Sequence, residues 1–173
     1  LGLRALTEAH GILLIADEVI CGFGRTGKAF AAQSFGVVPD IITMAKALTN
    51  GAIPMGAVSV RDEIYETVTQ AAPEEAIEFF HGYTYSAHPA ACAAGLATLQ
   101  IYEDEQLFER SAEMSEYFLD AIWSLKDIPV VRDLRGIGML AGVEVFPIEG
   151  KPGIRGNGLQ KSMFWNACHV KWT

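Results

Sequence analysis

The stretch Ile12-Leu13-Leu14-Ile15-Ala16-Asp17-Glu18 decides the fold. Its first five residues form a continuous apolar run, the pattern of a strand buried on both faces of a parallel sheet. The run stops at Asp17-Glu18, so two acids stand at the carboxyl end of a buried strand, where open α/β sheets hold their ligands. Ile41-Ile42-Thr43-Met44-Ala45 repeats the pattern and delivers Lys46 to the same edge. A carboxylate and a lysine held there suit pyridoxal phosphate. The lysine forms a Schiff base with its aldehyde, and the acid partners the pyridinium nitrogen. Taken by themselves, the two residues read equally well as a surface ion pair at strand ends.

Working outward, residues 1–10 read as the last turns of a helix that Gly11 stops. Residues 21–35 form a long loop punctuated by Gly22, Gly24 and Gly27, where backbone can approach a ligand closely. Residues 56–60 read as a third strand and 61–70 as a helix with Ile64, Tyr65 and Val68 at helical spacing. The acidic, proline-containing stretch 71–78 is a surface loop. Residues 88–102 are rich in alanine and leucine, a helix whose small side chains permit close packing. A second amphipathic helix spans 105–125, with Leu107, Phe108, Met114, Phe118, Leu119 and Ile122 on its apolar stripe. Pro129 breaks it, and 130–136 and 139–146 alternate as strands with Gly136 and Gly138 at the turn. A domain boundary is expected near Asp104, through a shared helix. Residues 1–104 would then be the second half of a large cofactor domain, and 105–173 the beginning of a small C-terminal domain.

The 173 residues are 50% hydrophobic, enough for one domain or one and a half. A net charge of −8 argues against nucleic acid or an anionic membrane as the main partner. Cys21, Cys92 and Cys168 are odd in number and widely spaced. They fit a reducing compartment better than a disulfide framework or a zinc site. No apolar run reaches the ~20 residues of a membrane span, and a soluble cytoplasmic protein is expected. Both ends look cut: no methionine opens the chain, and Val170-Lys171-Trp172-Thr173 resembles the start of a strand.

Asp17-Glu18-Val19-Ile20-Cys21-Gly22-Phe23-Gly24-Arg25-Thr26-Gly27, then Pro39-Asp40, Met44-Ala45-Lys46-Ala47-Leu48 and Gly51-Ala52-Ile53-Pro54-Met55-Gly56-Ala57, resemble the class III aminotransferases. His81-Gly82-Tyr83-Thr84-Tyr85-Ser86-Ala87-His88-Pro89 resembles that family's second signature. Within the family, the segments 50–57 and 81–89 look most like the β-alanine (ω-amino acid):pyruvate aminotransferases. The resemblance is strong over residues 1–99 and looser to Thr173. It implies an α/β fold of type I, like aspartate aminotransferase. The large domain would hold a mostly parallel sheet, followed by the start of an α+β C-terminal domain.

The resemblance also implies roles. Lys46 would carry the cofactor, pyridoxal 5′-phosphate, and once displaced move a proton between the substrate α-carbon and the cofactor. A lysine amine becomes nucleophilic when desolvation lowers its pKa, and the apolar strand before it offers such surroundings. Asp17 would keep the pyridine nitrogen protonated, the condition for the ring to act as an electron sink. Glu18 falls on the opposite side of the strand and reads as structural. Val19 shares the parity of Asp17 and would pack on one face of the ring. Thr84 resembles the threonine that reaches the cofactor phosphate of the neighbouring subunit, with the backbone N–H of Tyr83 beside it. The site would then be shared across a homodimer or a higher oligomer.

Arg25 could meet a substrate carboxylate bidentately or hold its loop to the partner subunit, the second being favoured. Lys171 aligns where the family commonly has a carboxylate-binding arginine, and it offers a point charge in place of a planar fork. His10, His81, His88 and His169 read as structural, because no carboxylate or cysteine sits at metal-ligand spacing. Cys21 reads as packing.

The implied reaction moves an amino group from an ω-amino acid or amine to pyruvate, by ping-pong turnover. An aminomutase or decarboxylase would use the same Asp17 and Lys46. An inactive fragment that only dimerises is the alternative from another class.

Overall fold

The computed structural model describes residues 2–79 and 81–146. Helix α1, Gly2–Ala9, leads into strand β1, Ile15–Asp17. The long connection that follows contains the short helix α2, Ala31–Ser34, and brings the chain back parallel to β1 as β2, Ile41–Met44. Asp17 pairs with Thr43 in this ladder. From β2 the chain passes through a 3-10 turn, Lys46–Leu48, and returns antiparallel as β3, Ala57–Val60, with Ala57 opposite Met44. No crossover helix separates β2 from β3, and without one a neighbouring strand runs antiparallel. The sheet order is β1-β2-β3, so this part of the α/β fold is mixed.

The apolar run of residues 12–16 is only partly strand, because pairing begins at Ile15. Nor is it buried on both faces: Ile12, Leu13 and Ile15 are 56%, 54% and 58% exposed. Among the described residues β1 lies at the edge of the sheet, and no element there covers those side chains. An uninterrupted apolar run marks surface to be covered without saying what covers it.

Asp40 ties the sheet together. Its Oδ2 accepts from the backbone N–H of Leu14 at 2.7 Å and from Arg4 at 2.7 Å, and its Oδ1 accepts from Arg61 at 3.1 Å. One carboxylate thereby joins α1, the approach to β1 and the end of β3. The Leu14 N–H, with the two guanidinium groups behind it, holds the Asp40 carboxyl down at about 2.

Three further helices follow. Helix α3 is Asp62–Gln70, with Asp62 and Glu63 in a first turn where acids offset the helix dipole. Helix α4, Pro89–Asp104, opens on a proline, which suits the first helical position. Its buried residues Ala91, Gly95, Thr98 and Tyr102 fall on one helical stripe. That stripe faces the 3-10 turn, where Leu48 and Thr49 are also buried. The chain reverses at Gln106, in the left-handed region with φ 50°, and enters α5, Leu107–Trp123. Strands β4, Val131–Ile137, and β5, Leu140–Val145, form an antiparallel hairpin with a bulge between Val131 and Asp133.

The glycine loop meets α5. Gly27 has φ 80°, and a Cβ there would sit 2.9 Å from the Cβ of Ala112. A Cβ on Gly24 would sit 3.0 Å from the Phe108 ring, and Ser111 Oγ donates to the Gly24 carbonyl. The expectation of a close ligand approach is corrected at these two glycines: what approaches is the helix. Gly138, at the tip of the β4–β5 hairpin with φ 58°, would clash through a Cβ only 2.5 Å from the Arg25 carbonyl oxygen. Met139 N–H donates to that same oxygen at 2.8 Å, so the hairpin locks onto the loop.

Candidate active site

Asp17 and Glu18 show what strand parity does to two adjacent acids. The Glu18 side chain turns inward and is 3% exposed. Its two oxygens accept from the backbone N–H groups of Ala32 at 2.7 Å and Ala31 at 3.0 Å, so it caps the start of α2. Glu18 is thus a structural acid, as its parity indicates. Asp17 faces the other way and is exposed. Its Oδ1 accepts from Thr43 Oγ1 at 3.1 Å and from the Val19 N–H at 3.2 Å. Among the described residues Oδ2 has no hydrogen-bond partner, leaving one oxygen free on a carboxylate whose direction is set. Burial pushes the Cys21 thiol up, with the charges of Glu18 and Asp17 adding to the effect. Cys21 therefore stays protonated and unreactive near neutral pH.

Lys46 is three residues beyond Thr43, at the same end of the parallel pair as Asp17. It is exposed, has φ 46°, and opens the 3-10 turn. No acid lies within ion-pair distance of it among the described residues, Asp17 included. The two groups thus share one sheet edge without neutralising each other, each free to meet a third body. The turn behind Lys46 is anchored twice: Thr49 Oγ1 donates to the Ile53 carbonyl at 2.7 Å, and the Tyr102 hydroxyl donates to the Ala47 carbonyl at 2.6 Å.

Thr84 and Tyr83 line a groove of about 830 Å³ between the loop 82–88, the segment 53–56 and Ala91. Neither Asp17 nor Lys46 is among its lining residues, although Gly56 on its wall lies close to Met44 and Ala45, just before Lys46. Arg25 presents its carbonyl to Met139, while its exposed side chain lines a cleft of about 380 Å³ with Asn50, Tyr102 and Arg110. Lys171, His169 and Cys168 fall outside the described residues. No group of three or more His, Cys, Asp or Glu suited to a metal occurs among those described, and no described helix is long and apolar enough to cross a membrane.

Thr43 and Tyr102 were not singled out from the sequence, and Asp40 was noted only with Pro39 as part of the family resemblance. Thr43 could have been found by pairing the two apolar runs in register, which sets its hydroxyl beside Asp17. The other two offered no such signal, since an isolated Asp or Tyr does not announce a partner far away in the chain.

The sequence profile described as "Aminotransferase class-III" matches residues 1–168. The chain belongs to the class III aminotransferases. It is 54% identical over 153 residues to an omega-aminotransferase of Caulobacter vibrioides, covering 88% of this chain and 35% of that one. To a beta-alanine–pyruvate aminotransferase of Pseudomonas aeruginosa it is 49% identical over 154 residues, covering 88% of this chain and 34% of that one. The crystal structure of a thermostable (S)-enantioselective omega-transaminase from Thermomicrobium roseum superposes with a TM-score of 0.77 at 46% identity, over 83% of this chain and 31% of that one. The α/β fold is that of these class III transaminases. The chain spans about a third of the length of the curated relatives it matches.

Proposed function

We propose that this chain carries the lysine and the ring-nitrogen acid of an ω-amino acid:pyruvate aminotransferase that uses pyridoxal 5′-phosphate. The observation that carries the proposal is that Asp17, held through Oδ1, and Lys46 stand at one sheet edge, with Asp17 Oδ2 and the Lys46 amine both without a partner among the described residues. That donor set fits the cofactor, which needs an anionic acceptor for a pyridinium N–H and a free amine for its aldehyde. When bound, the cofactor supplies an electron sink and stores the amino group between two half-reactions.

The protein's own groups do the rest. Asp17 Oδ2 would hold a proton on the ring nitrogen by charge. Lys46 Nζ would tether the cofactor and, once the incoming amine has displaced it, would be a free base able to move a proton between the carbon bearing the donor's amine and the cofactor. Val19, two residues beyond Asp17, would pack against one face of the ring. Thr84 Oγ1 and the Tyr83 N–H would serve the phosphate of a neighbouring subunit, a reading supported by the likeness of residues 81–89 to the family's second signature. Such a protein is at least a homodimer. Arg25 holds the glycine loop toward that partner.

Residues 1–104 belong to the cofactor domain and residues from 105 onward to the small domain, with the reversal at Gln106 as the joint. A cytoplasmic location is supported by the cysteine usage, which suits a reducing compartment. β-Alanine as donor and pyruvate as acceptor are supported by the names of the relatives. The test is conversion of pyruvate to alanine by the full-length protein with β-alanine present. Loss of that conversion in Lys46→Ala is expected, and a fully active Lys46→Ala would overturn the proposal.

A further inference from the structure

The turn that presents Lys46 is strained at both ends. Lys46 and Asn50 have φ 46° and 50°, left-handed backbone in residues that carry a Cβ. Such conformations persist only where the surroundings over-determine them, and they cluster at functional sites. Inside the turn two backbone bonds oppose relaxation, Leu48 N–H to the Ala45 carbonyl at 3.0 Å and Thr49 N–H to the Lys46 carbonyl at 3.3 Å, and Thr49 Oγ1 holds its far end to the Ile53 carbonyl.

The hold nearest Lys46 comes from α4. Tyr102 is 7% exposed, and its ring stacks on Phe23 at 6.0 Å between centroids and meets Phe108 at 5.3 Å. Its hydroxyl oxygen is 2.6 Å from the Ala47 carbonyl and 3.2 Å from Asn50 Oδ1. A phenol has one proton and cannot donate to both acceptors. The shorter contact takes it, and the Asn50 amide satisfies the pair by turning its NH2 toward the phenolic oxygen. One buried hydroxyl thus grips the residue after Lys46 and the second strained residue together.

We propose that Tyr102 is a positioning residue for the Lys46 amine, fixing the Ala47–Leu48 peptide one residue beyond Lys46 so that the left-handed backbone of Lys46, and with it the direction of the side chain, is kept. The inference rests on Lys46 being the cofactor-linked lysine. Releasing the Ala47 carbonyl would let Lys46 relax toward ordinary helical or extended backbone and redirect Nζ at the sheet edge it shares with Asp17.

Tyr102→Phe in the full-length protein removes the hydroxyl and keeps the ring stack. In the cofactor-free protein, amide exchange of residues 48–50 is expected to quicken by about five- to tenfold, the factor for one lost hydrogen bond. With cofactor bound, the single-turnover rate with amino donor is expected to fall by at least that factor, while cofactor affinity and Tm stay near the parent. A variant that moves only one of these two quantities overturns the proposal, as does a fall in Tm with an unchanged single-turnover rate. If Tyr102→Phe does not fold, Asn50→Asp keeps the ring and draws the one phenol proton to the new carboxylate and away from the Ala47 carbonyl, and it is read in the same way. Borohydride fixation of the parent separates the two levels. A label on a lysine other than Lys46 defeats the reading of the site, whereas a label on Lys46 with an unaltered Tyr102→Phe defeats this inference alone.

Discussion

Thr43→Val tests how the ring-nitrogen acid is held. Valine is close in volume to threonine and favours strands equally, so β2 and its pairing with Asp17 should persist. What disappears is one of the two bonds that fix Asp17 Oδ1, the one from Thr43 Oγ1 at 3.1 Å. The other, from the Val19 N–H, is 3.2 Å long and cannot by itself fix the plane of the carboxylate. Both distances are at the long end of the hydrogen-bond range, and the group is exposed. The contribution therefore belongs near the bottom of the range for bonds to charged acceptors, about 1.5 kcal/mol. At about 1.4 kcal/mol per factor of ten, the half-reaction with amino donor should slow roughly tenfold. Stopped-flow absorbance of the full-length protein at saturating donor measures it. Thr43→Ser should recover most of the rate, and Thr43→Val should add little to an Asp17→Asn protein, which is itself slowed by orders of magnitude. A Thr43→Val rate within twofold of the parent, or an additive effect on Asp17→Asn, would refute the reasoning.

Three other outcomes follow from the same geometry. Glu18→Ala should destabilise the protein by about 3 kcal/mol, since two backbone N–H groups lose a charged acceptor; a urea midpoint near the parent's would contradict the capping role. Asp40 has a folded pKa of about 2, below the ordinary 3.8. Its stabilising effect is fully present above the ordinary value and is lost as pH falls through about 2, so Asp40→Asn should flatten the acid limb of a stability–pH curve. Mixing Thr84→Ala with Lys46→Ala, at cofactor low enough to empty the weakened site, should restore activity if Thr84 serves the neighbouring subunit. No gain on mixing, with subunit exchange confirmed, would place Thr84 in its own site.

The parts legible in the sequence were those set by short-range pattern. Apolar runs that stop at Asp17 and Lys46 marked the strand ends. Parity separated the inward Glu18 from the outward Asp17. Helical spacing gave α4 and α5 to within a few residues, and the alternation after Pro129 gave the hairpin. The contacts that hold the candidate site were not legible, because each joins residues distant in the chain. Tyr102 reaches Ala47 across 55 positions, Arg4 reaches Asp40 across 36, and Thr43 reaches Asp17 across 26. The glycines of residues 21–35 announced close approach but not its partner, which for Gly24 and Gly27 proved to be α5. The apolar run at 12–16 likewise announced surface to be covered, yet Ile12, Leu13 and Ile15 remain more than half exposed.

The central claim is that Lys46, at the same sheet edge as Asp17, is the residue that bonds the cofactor. Reducing the cofactor-loaded full-length protein with borohydride, digesting it and sequencing the tagged peptide tests this most directly. The account predicts a single adduct on Lys46, in the peptide containing Thr43-Met44-Ala45-Lys46, and none in Lys46→Ala. An adduct on any other lysine, or one that survives in Lys46→Ala, would contradict it.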